Sequence, residues 1–193
     1  MANFEQAYTI TLGHEGGYGN DPDDVGAETY KGVARAYYPD WPGWVIIEAA
    51  KRGPNFPNNL TNNINLNTMI KSFYKENYWN LFWGNRISNQ SVANELFDTG
   101  VNMGVGRAVK YLQRSLNVLN RNQKNYPDIV EDGVFGLNTM NTLNKYLATD
   151  DESFLLKIMN ILQGMHYIDY MTKSSIQEKY ARGWLKRVNI TKN

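Results

Sequence analysis

Apolar residues recur at helical spacing along almost the whole of this chain, and one stretch near the N-terminus breaks the pattern. Phe4, Ala7, Tyr8, Thr11 and Leu12 share one face of a helix expected over 2–14. Further stripes follow at Leu66, Met69, Ile70 and Phe73, then at Val92, Leu96 and Val101, then at Val109, Leu112, Leu116 and Leu119. They predict helices over 66–79, 91–103 and 107–120, with Gly104 and Gly106 breaking the last two apart. Three more are expected over 137–147, 152–171 and 175–188, the last begun by a capping box of Ser175 and Glu178. A short helix near Val45–Lys51 follows the aromatic turn Tyr37–Trp44. Residues 18–35 are instead rich in Gly, Asp and Asn, and Tyr30 and Val33 give them short strand character. The expected fold is mostly α, with a β-like hairpin or loop after the first helix.

Composition narrows what such a fold can do. Hydrophobic residues make up 42% of 193, enough for a core, in one domain or a medium domain with a small second one. The polar, Gly-containing stretch 121–136 marks a boundary, giving expected parts 1–127 and 128–193. The absence of cysteine removes disulfides, thiolate catalysis and thiolate metal sites. A net charge of +1 supplies no field for nucleic acid, nor the basic surface that would help a protein reach an anionic envelope. No signal peptide is visible after Met1 and no apolar run is long enough to span a membrane. No P-loop, dinucleotide-binding glycine pattern or nucleophile elbow occurs. His14 and His166 are too isolated for a zinc motif. No cofactor or metal is expected.

The residues that carry chemistry gather where the first helix stops. Glycoside hydrolysis needs a protonated acid at the leaving oxygen and a carboxylate, or a water it holds, on the other side. Glu15 continues the apolar face of the first helix, one turn beyond Thr11, and stands at the negative helix end. Both features oppose ionisation. Gly16-Gly17 leaves room for substrate. By residue type alone, a surface glutamate at a helix terminus is the commoner reading of Glu15. Asp21, Asp23 and Asp24 crowd the following loop; Asp24 could fold back opposite Glu15, with Thr29 holding a water. The same acids suit an Asx-turn cluster, but lack the spacing of a calcium loop. The 13 tyrosines and 5 tryptophans serve either a core or a sugar groove.

These motifs resemble a known family. His14-Glu-Gly-Gly-Tyr18, Asn20-Asp-Pro-Asp-Asp24 and Gly26-Ala-Glu-Thr29 with Gly32 are similar to the signature of the glycoside hydrolase family 108 muramidases, some of which are known as secretion activator proteins. So are Trp41-Pro-Gly-Trp44, Phe97-Asp-Thr-Gly-Val-Asn-Met-Gly104 and Tyr180-Ala-Arg-Gly-Trp184. Asp132-Gly-Val-Phe-Gly-Leu-Asn-Thr139 resembles a C-terminal peptidoglycan-binding module. The resemblance implies a lysozyme-like helical fold and N-acetylmuramidase activity with Glu15 as general acid. Asp24 and Thr29 follow by analogy with phage-type lysozymes. Tyr18, Tyr30, Trp41, Trp44 and Asn102 are the expected substrate contacts. Val25-Gly26-Ala27 departs from the family's Pro followed by Gly-Gly, which bears on the loop that carries Asp24.

The expected partner is the peptidoglycan glycan strand, cut between N-acetylmuramic acid and N-acetylglucosamine. The part from residue 128 onward would bind wall without doing chemistry. The protein would be made in the cytoplasm and act at the wall or periplasm, which calls for a holin-like or secretion partner. A lytic transglycosylase using the same Glu15, and a non-catalytic wall-binding or secretion-assisting protein, are the alternatives.

Overall fold

The computed structural model describes residues 1–12, 17–20 and 27–188. Glu15 and Asp24 lie outside the described residues, as do His14, Asp21 and Asp23. The chain divides into two compact units, residues 4–79 and residues 80 onward together with 1–3. Eight α-helices and one three-stranded antiparallel sheet are present among the described residues, the mostly helical, lysozyme-like architecture that the apolar periodicity implies.

The first unit is built around aromatic rings. Helix α1 (Phe4–Leu12) buries Phe4, Ala7 and Thr11. Strands β1 (Tyr18–Asn20), β2 (Glu28–Tyr30) and β3 (Val33–Ala34) form the sheet in that order. Lys31 (φ 43°) and Gly32 (φ 80°) make the two-residue turn between β2 and β3, both left-handed as a tight hairpin requires. Lys31 bears a side chain there, and the turn is held from outside: Tyr74 donates its hydroxyl to the Lys31 carbonyl at 2.8 Å. Helices α2 (Gly43–Lys51) and α3 (Ile64–Asn77) complete the unit. Asn63 caps α3 by accepting from the Leu66 amide at 3.0 Å.

Trp41-Pro42-Gly43-Trp44 is a packing motif. Gly43 has no side chain because the Trp41 indole occupies the place where one would go: an added Cβ would lie 2.1 Å from the ring. Trp41 then meets Trp44 edge to face at 5.3 Å, and Trp44 donates its indole N–H to the Tyr38 carbonyl at 2.7 Å.

The second unit is a helical bundle. Helices α4 (Gln90–Met103) and α5 (Val105–Leu119) are joined by Gly104 alone, whose φ of 89° only glycine adopts freely. Both pack against α7 (Glu152–Lys173), and α5 also packs against α6 (Leu137–Thr149). These partners of α5 lie beyond the expected boundary at residue 128. The polar stretch 120–136 is strapped along α5 by amide side chains. Asn117 accepts from the Ile129 amide and donates to its carbonyl, each at 2.9 Å. Buried Gln113 accepts from the Gly133 amide at 2.9 Å and donates to the Asp132 carboxylate at 2.8 Å. Asp132-Gly133 is thus a turn locked onto α5. Gly133 has φ 78°, and an added Cβ would lie 2.6 Å from the Gly106 carbonyl oxygen.

Two expectations need correction. Residues 175–188 are a 3-10 turn (Ser175–Tyr180) followed by the short helix α8 (Ala181–Leu185), and Ser175 caps nothing: the residue before the turn is Ser174, without a side-chain cap. The break lets Trp184 fold back onto Tyr167 of α7, at 5.2 Å and nearly parallel. The apolar residues Phe154, Leu155, Ile158, Ile161 and Leu162 of α7, a stripe expected to need a partner surface, are also not the face that the helix buries. Leu155 is buried, but Phe154 and Ile161 are 52% and 39% exposed. The face turned to α4 and α5 carries Met159, Asn160, Gln163, Gly164 and Tyr167 instead. Polar groups occupy it because α4 presents polar groups in return.

Candidate active site

Among the described residues, the first unit holds five of the expected site residues. Thr29 is half-buried in the middle of the sheet, opposite Gly19 on β1 and Ala34 on β3. Tyr18 begins β1, half-buried, with its ring edge to face with Phe56 at 4.6 Å. Tyr30, Trp41 and Trp44 are buried, at 2%, 8% and 3% exposure, and serve first as core. Asn102 is exposed on α4 of the second unit, its side chain donating to the Asp98 carbonyl at 2.7 Å.

Sequence reasoning missed the charged network that ties these residues together. Glu28 on β2 is buried and faces two cations, with Arg35 at 2.6 Å and Lys51 of α2 at 2.7 Å. Both cations also reach Glu48, Arg35 at 2.5 Å and Lys51 at 2.8 Å. Tyr18 adds a side-chain hydrogen bond to Glu28. The guanidinium of Arg35 lies 5.3 Å over Trp44 and the ammonium of Lys51 lies 5.9 Å over Tyr18. Two acids and two bases balance, so the network locks the sheet to α2 without adding net charge. One signal was visible beforehand: Glu48 and Lys51 stand three apart on a helix.

This network fixes what its carboxylates can do. Burial opposes the charge on Glu28, but hydrogen bonds from Lys51, Arg35 and Tyr18 outweigh it and hold the carboxyl below its usual range. Glu48, hydrogen-bonded by Lys51 and Arg35, falls to about 2. Both are carboxylates at neutral pH and neither can donate a proton to a leaving group. The same contacts raise the Tyr18 hydroxyl, burial first and Glu28 second, so it stays protonated. Its one proton is donated to Glu28, which leaves the oxygen's lone pairs to accept at the start of β1.

A second acid was also missed. Glu95 on α4 sits at helical spacing between Val92 and Thr99, on the side of the helix turned to α7. Burial first and the neighbouring Asp98 second raise it to about 7. Asp98 is paired with Arg187 at 2.7 Å. Among the described residues, no group of three or more His, Cys, Asp or Glu side chains is placed to hold a metal ion. No helix among them is long and apolar enough to cross a membrane.

Residues 8–104 match the family model described as Glycosyl hydrolase 108, and residues 107–189 match the model described as Predicted Peptidoglycan domain. The chain is similar to the structure of Brucella abortus SagA at 23% identity, covering 96% of this chain and 88% of that one, with a TM-score of 0.61. That likeness establishes a shared fold. No curated protein matches the chain significantly. The Glycosyl hydrolase 108 match takes in half of the chain, with the sheet and its charged network inside it, and a peptidoglycan domain follows directly. The chain belongs to glycosyl hydrolase family 108 and is a peptidoglycan hydrolase.

Proposed function

We propose that the chain is an N-acetylmuramidase, cutting between N-acetylmuramic acid and N-acetylglucosamine with Glu15 as general acid. The observation that carries this reading is the position of Glu15 in the chain. In sequence it stands three residues after Leu12 and three before Tyr18, inside the family match. The acid–base logic supports it. Of the carboxylates anchored around the sheet, Glu28 and Glu48 are held ionised, so the proton must come from elsewhere. Asp24 is the carboxylate proposed for the opposite side of the sugar, with Thr29 orienting water. The Tyr18 hydroxyl, whose one proton goes to Glu28, is proposed as an acceptor from substrate hydroxyl or amide groups. Tyr30, Trp41 and Trp44 would act from beneath, by fixing the wall on which the sugar rests, and Asn102 is retained as a further substrate contact.

In the same proposal, the part from residue 128 onward binds wall rather than doing chemistry. The protein acts at the wall or periplasm after release by a holin-like or secretion partner. The deciding experiment digests purified peptidoglycan and identifies the new ends by mass spectrometry. Reducing N-acetylmuramic acid ends are expected. Anhydro ends would make the protein a lytic transglycosylase, in which the muramic acid's own hydroxyl replaces Asp24-held water. Glu15→Gln is expected to keep the melting temperature and lower turnover at least about a hundredfold, the scale of a lost general acid. Full activity in that variant would move the chemistry to another residue.

A further inference from the structure

The motif Tyr180-Ala-Arg-Gly-Trp184 takes no part in the proposed chemistry, yet it forms an ordered array of rings. Trp184 of α8 lies on Tyr167 at 5.2 Å and 12°. Tyr167 is buried at 4% and makes a fixed foundation. Two further rings flank the indole, Tyr180 at 5.6 Å and 30° and Tyr170 at 5.8 Å and 38°. Tyr180 is 47% and Tyr170 46% exposed, far more than rings that serve only as core. Gly183, next to Trp184 in the chain, is exposed with nothing within 4 Å of an added Cβ, while Trp184 itself is half-buried. Exposed cations outnumber exposed acids in this segment: Lys179, whose ammonium lies 4.9 Å over Tyr180, with Arg182 and Lys186 against Glu178.

We propose that Tyr170, Tyr180 and Trp184 form a glycan-binding platform that grips the peptidoglycan strand at its N-acetylhexosamine faces, away from any chemistry. The proposal rests on peptidoglycan being the substrate. Aromatic rings present a negative face to the C–H groups of a pyranose ring and the methyl of its N-acetyl group, and they lose little conformational freedom in doing so. The cationic rim complements the stem-peptide carboxylates that an uncharged glycan would lack. It also opposes the competing occupant, a second copy of this chain, because pairing would set the cations of both copies against each other.

The test uses the full chain. Sedimentation with purified sacculi is compared for wild type, a Tyr170→Ala/Tyr180→Ala pair and a Tyr170→Phe/Tyr180→Phe pair, alongside cleavage of a short soluble glycan. The alanine pair should bind sacculi roughly tenfold more weakly, the scale of a lost aromatic anchor, while the phenylalanine pair binds within about threefold of wild type. Cleavage of the short glycan should be unchanged in all three. An alanine pair that sediments like wild type overturns the platform. So does one that loses only a wild-type dimer seen by size-exclusion chromatography. Weakened sedimentation in a protein that yields no new sugar ends supports the platform and overturns only the muramidase reading. If the alanine pair lowers the melting temperature, the wild type decides. Tyr180 ring signals that shift on titration with chitotetraose support the platform, and signals unmoved by it overturn it.

Discussion

Replacing Glu95 with Gln should stabilise this protein above neutral pH and leave it nearly unchanged in acid. The Glu95 carboxyl is sunk between α4 and α7, faced by Asp98 and Thr99 on its own helix and by Asn160 of α7. Gln163 and Tyr167 of α7, and Arg187 beyond α8, complete the cluster around Asp98. The Gln163 side-chain carbonyl oxygen is buried there without a hydrogen-bond donor, so the pocket already holds an acceptor it does not satisfy. Burial and Asp98 carry Glu95 from 4.5 to about 7. Each tenfold change in acid strength is worth about 1.4 kcal/mol, so the ionised group costs the folded state about 3 kcal/mol. Part of the side chain keeps solvent contact, which makes this an upper limit. The sign follows from the raised value. Folded protein holds the Glu95 proton more tightly than unfolded chain, so its stability is intact below pH 4.5 and is lost as pH rises through about 7. Gln carries no such charge at any pH. The variant's melting temperature should therefore match wild type within about 2 °C at pH 4, and exceed it by about 6–12 °C at pH 8. Thermal melts from pH 4 to pH 9 on both proteins read the difference directly, since every other titrating group is common to both. Parallel curves, or a Gln variant that is the less stable one at pH 8, would refute the argument. Glu95 would then be ionised in the fold and paired with a cation.

Three further outcomes are expected. Asp24→Asn should reduce kcat more than it weakens substrate binding, by roughly a hundredfold if it stabilises charge in the transition state; a wild-type kcat alongside an inactive Asp23→Asn would assign the role to Asp23. Gly43→Ala should destabilise the protein by about 1–3 kcal/mol, because the new methyl must displace the Trp41 indole now 2.1 Å away; denaturant unfolding that shows no loss would mean that ring moves freely. Gln113→Leu should free the Asp132-Gly133 turn, costing about 3 kcal/mol as the groups it joins lose their buried partners, and hydrogen exchange at the Gly133 amide should accelerate with it.

Local chemistry alone determined most of the helices, the turn-rich break after the first of them and the family. A helix buries a stripe every three to four residues, so α3, α4, α5 and α6 are written in the spacing of their own apolar side chains. Left-handed turns need glycine or a short polar residue, so Gly32, Gly104 and Gly133 mark their own positions. The Glu15-Gly16-Gly17-Tyr18 motif can be read as a string because its members are consecutive. Tertiary structure decided what the remaining side chains do, because those roles depend on residues distant in the chain. Tyr30, Trp41 and Trp44 look like sugar-binding rings in one dimension and are buried in three, since only packing reveals which face is covered. Glu28 became an anchored carboxylate when Lys51 arrived from α2, and Glu95 became a weak acid when α7 covered it. The buried face of α7 could not be read from α7 alone. Its Asn160 and Gln163 are buried because Glu95, Asp98 and Thr99 of α4 offer them polar partners, and a hydrophobic stripe records apolar faces only.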